Sequence, residues 1–222
     1  MVSSSSSVQA QAAPSYSSGC LRRFFLPVLA VVLVCAGMVL GLSKIEIAQA
    51  ETGVYQPAAE EEKGIAPLFT PEIQAWEEQI LAWSTTYQLD PNLIATVMQI
   101  ESCGYRQALS PAGAMGLFQV MPYHFLEGEN PYQPATNAKR GLLYLQRALE
   151  AGGSSRMALA GYNGGINGAQ NPPDQWPDEV HRYLYWGETI YQDALAGLDH
   201  SARLDEWLAR GGASLCRLAA VQ

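Results

Sequence analysis

Positive charge is scarce in this sequence: 13 Lys and Arg stand against 21 Asp and Glu in 222 residues, a formal net charge of −8. That balance excludes the basic stripe with which a protein grips nucleic acid, so no nucleic-acid partner is expected. Histidine is scarcer still, and His124, His181 and His200 are scattered without a ligand spacing. No metal site is expected, and no cofactor. Strand-like alternation is weak throughout and no internal repeat is visible, which points to a mainly α fold. Charged residues make up only 15% and apolar ones 48%, which excludes wholesale disorder. It leaves room for one core of about 130–150 residues rather than two large domains.

Part of that apolar content lies in one run. Residues 1–23 are rich in Ser, Ala and Gln and read as a loose cytoplasmic tail. Arg22 and Arg23 then precede an uncharged stretch from Phe24 to Leu42, long enough to cross a bilayer as a helix. The arginines before it place the N-terminus in the cytoplasm and everything after Ser43 outside. Two fates stay open for residues 24–43: a retained transmembrane anchor, or a signal sequence cut after Ala48-Gln49-Ala50. Either makes the rest extracytoplasmic, with the membrane a partner only if the helix is kept. Residues 44–68, rich in Pro, Ala and Glu, read as a linker, 69–198 as the folded domain and 199–222 as a C-terminal helical tail. Beyond the apolar run the chain is more acidic still, because Arg22, Arg23 and Lys44 fall before residue 50. A neutral polymer suits such a surface better than a polyanion. Only Cys103 and Cys216 lie beyond the run, as a disulfide or as two independent thiols.

Thr70-Pro71-Glu72 carries a helix-start pattern, followed by Ile73, Trp76, Ile80, Trp83 and Tyr87 on one stripe. Asp90-Pro91 repeats that pattern, with Leu93, Ile94, Val97 and Met98 as the apolar face and Gly104 as the stop. Further helices are expected over Asn137–Leu149, around Met157–Gly161, and after Pro177 with Val180, Tyr183, Leu184, Ile190 and Tyr191 facing inward. The tail carries Leu204, Trp207, Leu208, Leu215 and Leu218 as an amphipathic cap.

Glu101 stands out because it lies four residues after Val97 and seven after Ile94. Helical spacing puts its carboxylate on the face that packs inward. Loss of hydration there disfavours the charged form, which suits a general acid near neutral pH. A helix-end Glu bending out to water fits the same spacing. The small-residue loop Ser110–Gly116 lets a polymer approach the backbone, whereas Asn163 beside Gly164-Gly165 reads equally as turn chemistry.

Taken in order, Glu101-Ser102, Gly116-Leu117-Phe118-Gln119 with Met121-Pro122, Ala160-Gly161-Tyr162-Asn163-Gly164-Gly165, and Tyr183 resemble the motifs of the soluble lytic transglycosylase (SLT) family. Asn130-Pro131, Asn137, Gly141 and Tyr144-Leu145 are similar to its connecting segment. The resemblance implies a single lysozyme-like domain of the goose type. It implies non-hydrolytic cleavage of the β-1,4 bond between N-acetylmuramic acid and N-acetylglucosamine in peptidoglycan strands. Glu101 would be the only catalytic residue, acid and then base. Ser102, Ser110, Gly116, Phe118, Gln119, Met121, Tyr162, Asn163 and Tyr183 would bind substrate, with Tyr183 also steadying Glu101. Glu179 matches a family Glu near the last motif and would be structural or positioning. Phe118 stands where the family often has Met, and Gly161 where it often has Ala, so altered packing is expected there. Two other readings remain: a lysozyme-type muramidase hydrolysing the same bond, and a non-catalytic glycan-binding module.

Overall fold

Helix-start chemistry explains most of the architecture in the computed structural model, which describes residues 64–222. The apolar run Phe24–Leu42, the N-terminal tail and most of the expected linker lie outside those residues. Among the described residues no helix is long and apolar enough to cross a membrane. The elements are α1 (Pro71–Gln74), α2 (Glu77–Tyr87), α3 (Pro91–Ser102), α4 (Pro134–Gly152), α5 (Ser155–Gly164), α6 (Ile166–Ala169), α7 (Asp178–Leu195), α8 (Ala202–Trp207) and α9 (Ala213–Ala219). The described part is thus mainly α. Its only strand-like pairings are isolated bridges, Leu109 with Met115 and Met115 with Val120.

α3 is the central helix. Asp90 caps it, its carboxylate accepting from the amides of Asn92 at 2.9 Å and Leu93 at 3.1 Å, and Pro91 fills the first helical position. Leu93, Ile94, Ala95, Val97 and Met98 are almost wholly excluded from solvent. Removing a side chain such as Met98 from water contributes about 1.5–3 kcal/mol. The helix ends because Cys103 turns left-handed, with φ 51°, and Gly104 follows at φ 80°. The stop therefore begins one residue before the expected glycine.

The single stripe expected from Ile73 to Tyr87 is broken into α1 and α2. Trp76 leaves helical geometry, at φ −100° and ψ 4°, and its indole N–H donates to the Gly104 carbonyl at 3.1 Å. Thr70 precedes α1 in extended conformation but makes no side-chain cap. Its hydroxyl lies 3.3 Å from Cys103 Sγ instead.

α4 begins three residues earlier than expected, at Pro134, and packs along α5; α5 and α3 both pack against α7. Asp178 and Glu179 occupy the first turn of α7, where the helix dipole favours negative charge. The domain also reaches further in both directions than its expected limits. Ile65, Ala66 and Leu68, assigned to the linker, are core residues, as are Leu204, Trp207 and Cys216 of the C-terminal tail. A disulfide joins Cys103, at the end of α3, to Cys216 in α9. Gln99 fills the space beside it, its amide accepting from Thr70 N at 3.2 Å and donating to Cys103 Sγ at 3.1 Å.

Candidate active site

Glu101 is the penultimate residue of α3, and residues of the segment that follows border the same cleft. Residues 105–120 form no helix, so their order has to come from specific hydrogen bonds. Asn137, on the first turns of α4, supplies three of them. Its amide nitrogen donates to Met115 O at 2.7 Å and Pro131 O at 2.8 Å, and its oxygen accepts from Phe118 N at 2.8 Å. Asn137 is 1% exposed, so each bond also satisfies a group that water cannot reach. Gly116 is required where this amide passes: its φ is 77°, and a Cβ there would stand 2.3 Å from Asn137 Nδ2.

The clamp sets the next residues. Gln119 is held at φ 44°, its amide donating to Gly116 O at 3.0 Å and Ala108 O at 3.3 Å. Tyr162 reaches across from α5 and donates to Phe118 O at 2.6 Å. Ser110 closes the small-residue loop, its hydroxyl accepting from Ala114 N at 2.9 Å.

These pieces enclose a cleft of about 440 Å³ bordered by Glu101, Ser110, Gln119, Met121, Tyr162 and Asn163. Six of the ten expected site residues therefore share one wall. Tyr183 is buried in α7 close to Glu101, although its hydroxyl has no partner within hydrogen-bonding distance. Asn163 Oδ1 is likewise buried and unpartnered.

Ser102, Gly116, Phe118 and Tyr183 are not among the residues that border the cleft, and the first three have structural roles in the frame around it. Ser102 is one helical step from Glu101, about 100° around the axis, which turns it into the core. Its hydroxyl donates to Leu117 O at 2.7 Å and accepts from Gly104 N at 3.1 Å. Gly116 serves the Asn137 clamp. Phe118 is completely buried and packs edge-on against Trp83, with ring centroids 5.8 Å apart. Only its backbone carbonyl serves the site, by fixing Tyr162.

Tyr123, His124, Arg140 and Tyr144 also border the cleft; none is among the expected site residues, although Tyr144 stands in the connecting segment of the resemblance. Met121-Pro122 was the signal nearest the first two, since Pro122 starts the short 3-10 turn that carries them. Glu179 is the second carboxylate at the cleft. A larger hollow of about 540 Å³ lies elsewhere, between Trp76, Arg106 and Gln222, and contains none of the expected site residues.

Electrostatics single out Glu101. Its pKa is pushed up from 4.5 to about 8, chiefly by burial; the Tyr183 hydroxyl draws it down and the Glu179 charge pushes it further up. The carboxyl is therefore mostly protonated at neutral pH. Burial, reinforced by the Glu101 charge, raises the hydroxyls of Tyr162 and Tyr183 well above the ordinary phenol value, so both remain donors. A protonated acid in a polar-rimmed cleft can deliver a proton to a leaving oxygen and then recover one.

Residues 78–178, from α2 to the first residue of α7, match the family model described as the transglycosylase SLT domain. A protein called transglycosylase from Enterobacteria phage PRD1 is 43% identical over 96 residues, which is 42% of this chain and 36% of the phage protein. The chain thus spans about a third of that relative's length. Among solved structures, an inactive mutant of lytic transglycosylase Slt from Pseudomonas aeruginosa overlaps 56% of this chain and 25% of its own, at 21% identity and a TM-score of 0.46. The matched family segment contains the cleft residues from Glu101 to Gly165 and ends before Tyr183.

Proposed function

Residues 78–178 belong to the transglycosylase SLT domain family, and on that premise we propose that the protein is a peptidoglycan lytic transglycosylase with Glu101 as its catalytic acid and base. The same reading includes a goose-type-lysozyme-like domain and places the protein outside the cytoplasm. There it is held by a membrane anchor in the apolar run Phe24–Leu42 or released after cleavage near Ala50. The observation that carries the chemistry is a carboxyl raised to about 8 on the wall of a cleft of polymer-binding size.

Protonated Glu101 gives its proton to the glycosidic oxygen between N-acetylmuramic acid and N-acetylglucosamine, and the C–O bond breaks as the leaving sugar departs as an alcohol. The positive charge left at the anomeric carbon is stabilised by the substrate's own acetamido group. Glu101, now a carboxylate, takes the proton of the muramoyl 6-hydroxyl, whose oxygen closes on the anomeric carbon to give the 1,6-anhydro ring. Glu101 ends as it began, and no water is consumed. The nucleophile belongs to the sugar being attacked, so its effective concentration is high and no activated water is required. The unpartnered Asn163 Oδ1 offers an acceptor to an acetamido N–H, while Ser110, Gln119, Met121 and Tyr162 line the glycan's path. The buried Tyr183 hydroxyl is a ready donor to Glu101 once that residue is charged.

One observation favours the hydrolytic alternative. Glu179 also borders the cleft, and a muramidase would use a second carboxylate to activate water. Mass spectrometry of products released from purified peptidoglycan separates the two readings, with Glu101→Gln as control. Anhydro-muropeptides, one water lighter than hydrolytic products and lost in Glu101→Gln, are expected. Reducing-end products that vanish in Glu179→Gln would make the protein a muramidase, and no Glu101-dependent release would leave a glycan-binding module.

A further inference from the structure

The cleft does not end at Tyr144. His124 and Arg140 border it and also line a second hollow of about 280 Å³, completed by Leu143, Gln146 and Arg147. This shelf carries two guanidiniums, an imidazole and an amide in a chain whose net charge is −8. Its cations are not equally engaged. Arg140 is held in a two-pronged pair by Glu129, with Nε at 2.8 Å from Oε2 and Nη2 at 2.6 Å from Oε1. Arg147 makes no ion pair among the described residues; its Nε donates to Leu143 O at 3.2 Å, and its guanidinium stands 5.6 Å from the centre of the Tyr144 ring. The ring of Tyr144 in turn lies 5.0 Å from His124 and 5.9 Å from Tyr162. One aromatic chain thus connects the shelf to the catalytic side of the cleft.

In a peptide-bearing strand the lactyl carboxyl of each N-acetylmuramic acid is tied up as an amide, so the sugars bring only neutral hydroxyl and acetamido groups to a cation beside their path. A guanidinium offers a planar fork of donors that matches a carboxylate. We propose that the His124–Arg140–Arg147 shelf is a subsite for a carboxylate on the peptide branch of the polymer, with Arg147 as its anchor. The protein would therefore select peptide-bearing strands over bare glycan. This rests on the peptidoglycan reading above and adds to it a specificity that the cleft itself does not provide. Arg147 touches neither Glu101 nor the scissile bond; it is a binding residue for the branch.

The test uses the full chain and soluble GlcNAc–MurNAc tetrasaccharides, with their peptides intact or removed by an amidase. Binding to Glu101→Gln is measured by calorimetry. Affinity for the peptide-bearing form is expected to be about tenfold higher; adding Arg147→Gln abolishes that preference and Arg147→Lys restores part of it. In the active protein, Arg147→Gln raises KM about tenfold for the peptide-bearing form, with kcat unchanged and the bare form unaffected. Equal binding of both forms, or a preference that survives Arg147→Gln, overturns the proposal. Loss of binding to the bare form alone would mean that the shelf holds the lactyl carboxylate that the amidase exposes, and equal loss for both forms would mean a general glycan contact; either result overturns the proposal. The binding comparison decides the shelf even if no product is released. Glu101-dependent release with no peptide preference would sink the shelf and leave the transglycosylase reading standing.

Discussion

Replacing Glu101 by Gln isolates the energetic consequence of burying its carboxyl. Gln keeps the size of the protonated side chain and has no charge to desolvate. In the unfolded chain Glu101 titrates near 4.5; in the native protein it titrates near 8. Below about pH 4.5 both states hold the proton, and the two proteins should differ only by a constant offset. Between 4.5 and 8 the unfolded state releases its proton while the native state keeps it, so the native state binds more protons and loses stability as pH rises. The slope for one group is about 1.4 kcal/mol per pH unit, and the full interval corresponds to about 5 kcal/mol. The difference between the two proteins should approach that value once both states are ionised. Urea denaturation of both proteins at pH 4, 5.5, 7 and 8.5 measures it, and the other carboxylates cancel in the comparison. Glu101→Gln should gain on the wild type steadily up to about pH 8 and then hold its lead. A difference independent of pH would refute the reasoning. So would a wild type that gains on the variant with rising pH, which would mean that donors stabilise the anion more than burial penalises it.

The same carboxyl sets the alkaline limb of the activity profile, which should fall through about pH 8. Tyr183→Phe removes the group that draws the pKa down and should move the limb upward, whereas Glu179→Gln removes a repelling charge and should move it downward, both read from kcat/KM against pH. Asn137→Ala leaves Pro131 O and Phe118 N without partners and Met115 O with Val120 N alone, and should lower stability by about 2–4 kcal/mol in denaturant melts. Cys216→Ser opens a loop spanning 113 residues and should cost about 3–5 kcal/mol. Limited trypsin digestion should then cut at Arg210 or Arg217 before it cuts α3 to α7; simultaneous loss of all fragments would show that the disulfide holds the whole domain rather than its C-terminal end.

What could be read from the sequence depended on how far along the chain its cause lay. Asp90-Pro91 announced α3 because cap, proline and apolar face are all local, and the spacing from Ile94 and Val97 placed Glu101 inward for the same reason. Trp76 fits one step of a continuous stripe by spacing, and its competing interaction, the bond to Gly104 O, closes across 28 residues and leaves no local signal. Ser102, Gly116 and Phe118 are assigned to the substrate by the resemblance alone, as members of motifs that also contain Glu101 and Gln119. Adjacency on a helix nevertheless turns a neighbour away, and a glycine at φ 77° beside Asn137 answers to its clamp.

Tyr123, His124, Arg140 and Tyr144 illustrate the converse. Nothing within a few residues of them distinguishes a cleft-lining aromatic from a core aromatic, and Tyr144 shares α4 with the buried Leu142 and Leu145. Its position one residue off that buried face becomes meaningful only when α5 brings Tyr162 beside it and the 3-10 turn brings His124. The residues of a motif need not carry its chemistry: several build the frame around the cleft that Glu101 borders. Specificity can then be written by residues outside the motif, on whichever helix face that frame leaves open. In this chain that face is the outward edge of α4, where Arg147 makes no ion pair among the described residues.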